Sequence, residues 1–276
     1  MKATNPHQTS GNTRLIALIG LVILGLIWEF CSRSSENINF QLSRPTNIGT
    51  ALLTMVRDEN LAFDFCVTAS EALAGTIAGT VLGSATGLAL WLSRRASSIA
   101  EPFILMAGNF PVFALAPAAI VWLGIGIGMK IFLAAFATFF VALNLSHAGA
   151  HVAAAEFDSV FDGFRASPLD TYRKVIVPGA LDAVFNSMRV NVGLGILGAF
   201  IGEFIASSHG LGRVIIRSSG LYQIDKVFAA SLCIILLAFL FDLFAQGVQN
   251  EKLWLSRLCG LPRQLRVRTK ELRRKS

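Results

Sequence analysis

Gly193-Leu-Gly-Ile-Leu-Gly198 spells the GxGxxG pattern. Between a strand and a helix, that pattern seats a dinucleotide pyrophosphate on the helix N-terminus. Here it lies inside an apolar stretch, with no strand before it and no acid following, so the glycines read as packing positions. His147 and His151 stand one helical turn apart, a spacing that suits a metal pair. No Glu or Cys is near enough in sequence to complete the ligand set. The pair reads as polar residues toward the end of a span, and no metal site is expected. The chain has no GxxxxGK[ST] phosphate loop and no recognisable Ser/His/Asp or Cys/His arrangement, so no catalytic residue is expected. Cys31, Cys66, Cys233 and Cys259 form no CxxC pair. A Cys31–Cys66 disulfide is conceivable if both face an oxidising compartment.

The elements that carry these residues are membrane helices. Of the 276 residues 54% are apolar and 15% charged, with 21 Phe and 2 Tyr, whereas ordinary globular chains carry about 25% charged residues. This excludes a disordered chain, a collagen-like chain and a disulfide scaffold, and it leaves too little polar surface for a soluble domain. Crossing a bilayer as a helix takes about 17–25 mostly apolar residues. Six stretches qualify: Leu15–Phe30, Cys66–Leu92, Pro102–Gly128, Ile131–Ala155, Ala180–Ser208 and Val227–Gln249. The first is short, but no small-residue cleavage site follows it, so it reads as a retained helix and not a signal peptide. The expected fold is an all-α integral membrane bundle of six transmembrane helices. Its expected divisions are a cytoplasmic tail at 1–14, a first helix and extracytoplasmic loop at 15–65, a transmembrane domain at 66–249 and a basic cytoplasmic tail at 250–276.

Lys and Arg positions orient the bundle. With the N-terminus inside, the cytoplasmic segments hold sixteen bases and the outer segments seven, Arg189 lying within a span. Both termini are therefore expected in the cytoplasm. The net charge of +7 comes largely from the tail beyond Gln249, where nine bases stand against Glu251 and Glu271. Beside a membrane span such a run is an orientation signal or a contact for acidic lipid heads, and no nucleic-acid partner is expected.

Gly75, Gly79, Gly83 and Gly87 recur every four residues along the second span. They share one helix face and invite close approach of another helix, from this chain or from a second copy. Ionisable and amide groups within spans usually face a bundle interior or a water-filled path. Glu71, Asn109, Asn144 and Glu203 are the candidates for a translocation path or for gating. Asn109 precedes Phe110-Pro111, where a proline can interrupt a helix. The two acids would repel an anionic solute, which favours structural or gating roles for them.

The cytoplasmic stretch Ala155–Pro178 is amphipathic. Phe157, Val160, Phe161 and Phe164 follow i, i+3, i+4, i+7, with Asp158, Asp162 and Arg165 around them. Ser167-Pro-Leu-Asp170 then reads as a helix start, with Ser at the cap and Pro at the first helical position. Leu169, Tyr172 and Ile176 would share one side, and Pro178 would end this second short helix. The expected form is a short helix, a sharp break and another short helix leading into the membrane. Such an elbow can rest on the lipid surface or dock to a protein.

The chain resembles the integral-membrane permease subunits of bacterial ABC importers, in the nitrate/sulfonate/taurine branch of the binding-protein-dependent family. The resemblance runs from about Leu42 to Leu255. It is carried by Leu42-Ser-Arg-Pro45, Trp122-Leu-Gly-Ile-Gly126, Gly202-Glu-Phe-Ile-Ala206 with Gly210-Leu-Gly212, and Asp225-Lys-Val-Phe-Ala229. Arg165-Ala-Ser167 followed by Tyr172-Arg-Lys-Val-Ile-Val-Pro178 resembles the second half of the family's cytoplasmic EAA loop. The triplet position carries Ser159-Val160-Phe161 and the signature glycine position Arg165.

The resemblance implies a type I ABC importer fold that pairs with a second permease copy, as a homodimer. It implies two cytoplasmic ATPase subunits that bind ATP and Mg, and no cofactor in this chain. It further implies an extracytoplasmic solute-binding protein and a place in the inner membrane. The ATPase-coupling residues would be Phe157, Asp158, Ser159, Val160, Phe161, Asp162, Gly163, Phe164, Arg165, Ala166 and Ser167. The implied cargo is a small anion such as a sulfonate, taurine or nitrate. The alternatives are a same-family permease for a neutral heterocycle such as a pyrimidine precursor, or a non-transporting anchor or sensory subunit.

Overall fold

The computed structural model describes residues 9–34, 40–164 and 167–258, of which the helix end 156–164 is described by its backbone. Arg165, Ala166 and the basic positions from Arg263 to Lys275 lie outside the described residues, as do the side chains from Phe157 to Phe164.

Every regular element among the described residues is a helix. In chain order they are α1 Thr9–Ser34, α2 Pro45–Asp58, α3 Leu61–Leu90, α4 Arg94–Gly108 and α5 Val112–Leu123. Then follow α6 Ile127–Phe164, the single turn α7 Pro168–Thr171, a π segment Tyr172–Ile176, α8 Val177–Ile205, α9 Leu211–Gly220 and α10 Ile224–Leu258. By length and composition, four stretches can cross a membrane: Leu61–Leu90, Ile127–Ala155, Leu169–Ile205 and Ile224–Gly247. The bent pair α4 and α5 makes a fifth if counted as one span. The apolar run Leu15–Phe30 lies within α1.

Three details of the sequence reading need correction. Pro102–Gly128 is not one unbroken helix, because α4 ends at Gly108 and α5 begins at Val112. Asn109 ends α4 and Pro111 stands at the N-cap of α5. A proline cannot donate the amide that would carry the helix through this point. The cytoplasmic stretch is not a separate short helix either, since α6 runs unbroken for 38 residues to Phe164. Nor does Pro178 end the following helix. It lies inside the continuous helical run Leu169–Ile205, where the π segment passes into α8. The turn before it widens, with the Val177 amide donating to the Tyr172 carbonyl five residues back. Ser167 does cap as its sequence context predicts. Its hydroxyl accepts from the Asp170 amide at 3.2 Å and donates to the Asp170 carboxylate at 2.8 Å.

The chain divides into two compact units. The first comprises Met1–Ala72, Pro111–Leu133 and Ile196–Leu237, the second Leu73–Phe110, Ala134–Gly195 and Ala238–Ser276. In the first, α2 buries Ile48, Ala51 and Met55 against Leu61, Leu211, Ala229 and Ala230, with Trp28 edge-on to Phe228 at 5.7 Å. A second cluster there joins Ala116 and Ala119 to Met129, Leu133 and Ile201. In the second unit Leu88, Ala150, Ile176 and Ala180 form a core over which Trp91 stacks on Tyr172. Cys31, Cys66 and Cys233 are free thiols.

The glycine face of α3 lies against α6 in the second unit. A Cβ at Gly79 would fall on the Ala135 carbonyl and the Thr138 hydroxyl, one at Gly83 on the Phe139 carbonyl, and one at Gly87 on the Leu143 carbonyl. Gly75 is also buried. The surface approached by Gly79, Gly83 and Gly87 is thus another helix of the same chain. Backbone-to-backbone contact of this kind replaces the side-chain layer that usually separates helices.

Candidate functional site

In the first unit, Asp64, Thr68 and Glu71 occupy positions i, i+4 and i+7 on the opening turns of α3, so one helix face presents two carboxylates and a hydroxyl. Glu203, in the last turn of α8, completes a buried polar cluster. Glu71 and Glu203 are each 1% exposed and Lys130 4%. Buried charge at this level persists only when paired and hydrogen-bonded.

The pairing is specific. Lys130 donates to Glu71 Oε1 at 2.5 Å and to the Ser207 hydroxyl at 3.1 Å. Ser207 donates in turn to the His209 carbonyl. Thr68 donates to Glu203 Oε1 at 2.7 Å. The remaining acceptors hold the start of α9. The Gly210 amide donates to Asp64 at 2.7 Å, that of Leu211 to Thr68 Oγ1 at 2.8 Å, and that of Gly212 to Glu203 Oε2 at 2.7 Å. A helix start leaves its first amides without intrahelical partners and carries partial positive charge. In α9 these amides are answered by three side chains from two other helices.

Glycine is required at two positions around this cluster, Gly210 in the loop and Gly202 in α8. Gly210 has φ +110°, and a Cβ there would collide with the Glu203 carboxylate. Gly202 lies under the Lys130 stem, 2.8 Å from its Cγ measured from where a Cβ would stand. The cluster therefore ties α3, α8, α9 and the first turn of α6 together. It has the character of a joint, in which α9 is held to α3 and α8 by hydrogen bonds to side chains, two of them carboxylates.

Of the four residues expected at a path or gate, Glu71 and Glu203 meet in this cluster. Asn109 and Asn144 belong to the second unit and are exposed. Asn109 donates to the Leu105 carbonyl of its own helix at 2.7 Å. Sequence reasoning missed Lys130, which the charge count placed in an outer loop. The signal lay in the Asp64, Thr68, Glu71 spacing, which demands a cationic or donor partner from another helix.

Sequence reasoning also missed Asn191, fully buried in the second unit. Its amide donates to Thr80 Oγ1 at 2.9 Å and to the Thr138 carbonyl at 3.1 Å. His147 likewise serves cohesion in that unit. Its Nδ1 meets the Gly87 carbonyl at 3.1 Å, and its Nε2 meets Ser97 Oγ at 2.9 Å and His151 Nε2 at 3.3 Å.

Glu203→Gln tests the joint. Glutamine keeps one acceptor but turns an amide donor toward Thr68 or Gly212, which are themselves donors. A loss of about 1–3 kcal/mol is expected, read as a lower thermal midpoint of the purified protein together with reduced transport. Unchanged stability and transport would exclude both a structural and a gating role.

Several helices long and apolar enough to cross a bilayer, with a buried ion pair among them, define a polytopic membrane protein. The chain belongs to the family described as binding-protein-dependent transport system inner membrane component, whose sequence model matches residues 75–251. It is accordingly a permease subunit of an ABC importer and a multi-pass inner-membrane protein. SsuC of Escherichia coli (strain K12), a permease protein named for aliphatic sulfonate transport, is 30% identical over 83% of this chain and 86% of its own. The formylaminopyrimidine transport permease protein ThiX of Halalkalibacterium halodurans is 26% identical over 79% of this chain and 87% of its own. In fold, the chain matches one from inward-facing conformations of the MetNI methionine ABC transporter. The TM-score is 0.60 at 16% identity, covering 68% of this chain and 94% of that one.

Proposed function

We propose that this chain works as one of two identical permease copies, with both termini in the cytoplasm. A soluble extracytoplasmic protein hands over the solute, and two cytoplasmic ATPases, which bind ATP and Mg, drive the change between outward-open and inward-open states. This chain supplies no cofactor and no hydrolytic group. One observation carries the reading. Helix α6 continues beyond its apolar span, which closes at Ala155, as far as Phe164. Nine residues of helix extend it by about 13 Å at 1.5 Å per residue. The capped turn at Ser167 starts the next helical run, which enters the apolar span Leu169–Ile205. A helical projection of this size is what a coupling element needs to reach a soluble subunit, and Phe157–Ser167 is assigned to it.

The solute is a small polar molecule. The name of SsuC supports a sulfonate-type anion, and the name of ThiX supports a neutral heterocycle. Ligand binding by the soluble partner decides between them.

Phe161→Asp or Phe164→Asp tests the coupling assignment. A carboxylate placed in an apolar groove costs several kcal/mol if it stays unpaired, about 3 or more. Membrane insertion and yield should be kept while the ATPase no longer co-purifies. Full recovery of the complex with both variants would remove Phe157–Ser167 from the docking role.

A further inference from the structure

Helix α8 carries an exposed polar stripe along one face. Asp182, Asn186, Arg189 and Gly193 follow i, i+4, i+7, i+11, and all four are exposed. The opposite face, with Ser187 and Asn191, is fully buried. Arg189 Nε meets Asp242 Oδ1 of α10 at 2.9 Å, and Gln246 donates to the other Asp242 oxygen at 2.5 Å. Pairing does not bury these charges, since the side chains of Arg189 and Asp242 remain 47% and 37% exposed. Both lie within apolar spans, Leu169–Ile205 and Ile224–Gly247. An ion pair left half open inside a span is stable where water or protein covers it and is costly against hydrocarbon. One turn further along, no atom of a neighbouring element of this chain lies within 4 Å of where a Cβ of Gly193 would stand.

We infer that Asp182, Asn186, Arg189 and Gly193 of α8, with Asp242 and Gln246 of α10, form a water-lined wall of the solute path suited to a solute without net negative charge. The inference rests on the permease reading and narrows its solute. Arg189 and Asp242 neutralise one another, and Asp182 leaves the wall one charge negative. Asn186 and Gln246 supply uncharged donors and acceptors for a neutral or cationic polar molecule. A bare sulfonate or nitrate would meet the Asp182 carboxylate on the stripe and a guanidinium already engaged by Asp242.

The test uses the assembled transporter in inside-out vesicles, with Cys31, Cys66, Cys233 and Cys259 replaced by Ser. Gly193→Cys is probed with cationic trimethylammonioethyl methanethiosulfonate and anionic sulfonatoethyl methanethiosulfonate. Each rate is divided by that of the same reagent with 2-mercaptoethanol. Ile235→Cys, at an exposed apolar position of α10, is the control on an apolar surface. The Gly193→Cys thiol should react with both reagents and the control with neither. The normalised rate should favour the cation by roughly tenfold, and Asp182→Asn should bring that ratio toward one. A ratio at or below one overturns the inference on solute charge. An unreactive thiol, with and without ATP, overturns the wall itself by placing the stripe against lipid or a second copy. Because ATPase co-purification is measured on the same preparation, either failure is distinguishable from failure of the permease reading.

Discussion

Gly83→Leu is expected to abolish recovery of the folded protein from membranes. A side chain at Gly83 points at the Phe139 carbonyl of α6, with Phe139 C at 3.0 Å and Ala142 Cβ at 3.1 Å from the added carbon. Backbone cannot rotate aside as a flexible side chain can, so the two helices must part. Parting them also breaks the contacts at Gly79 and Gly87, which lie on the same face one turn to either side. Overpacking in a close-packed interior costs about 1–3 kcal/mol per site and more where backbone must move. Leucine adds four carbons where none fits. Gly83→Ala also places a carbon on that carbonyl, so it is expected to lower the thermal midpoint measurably, in contrast to the mild effect that alanine has at an open glycine. Leu88 is buried against Ala150, Ile176 and Ala180 and cannot serve as a neutral comparison. Leu82, 61% exposed, can. Size-exclusion profiles and thermal midpoints of Gly83→Leu, Gly83→Ala and Leu82→Ala check the order. Equal behaviour of Gly83→Leu and Leu82→Ala would show that α3 and α6 do not meet here.

Lys130→Met is expected to cost about 3–5 kcal/mol, the range for removing one partner of a buried ion pair. Glu71 would lose its cation in a site 1% exposed, and its second oxygen already lacks a hydrogen-bond partner. Ser207 would lose its ammonium donor as well, loosening the turn that leads into α9. The effect should appear as poor yield, a depressed thermal midpoint and lost transport. The double variant Glu71→Met/Lys130→Met removes both charges and should recover much of the stability, because the penalty belongs to the orphaned carboxylate. Transport by the double variant then reports whether the ion pair matters for motion beyond cohesion. If the single variant is as stable as the double, Glu71 and Lys130 are not paired in the membrane.

The sequence by itself determined the class of this protein. Long apolar runs can be stable only as helices in a bilayer, because every backbone amide must be satisfied within the segment. Composition and run length therefore disclosed the spans, and the bias of Lys and Arg gave an expected orientation. The caps were equally local. Ser167 with Asp170, and the break around Asn109-Phe110-Pro111, depend on residues within one turn of each other.

Periodicity also showed that Gly75, Gly79, Gly83 and Gly87 share a face, but a face does not name what lies against it. The tertiary structure alone supplied α6 as the partner of the last three. It alone joined Lys130 to Glu71 across 59 residues and Thr68 to Glu203 across 135. Such pairings depend on which helices are neighbours, and no local signal encodes that. Lys130 shows the limit clearly. A single lysine at the end of an apolar run looks like a loop charge that marks orientation. Only the approach of α3 and the turn after α8 buries it, and burial turns an orientation signal into the cation that holds a joint together.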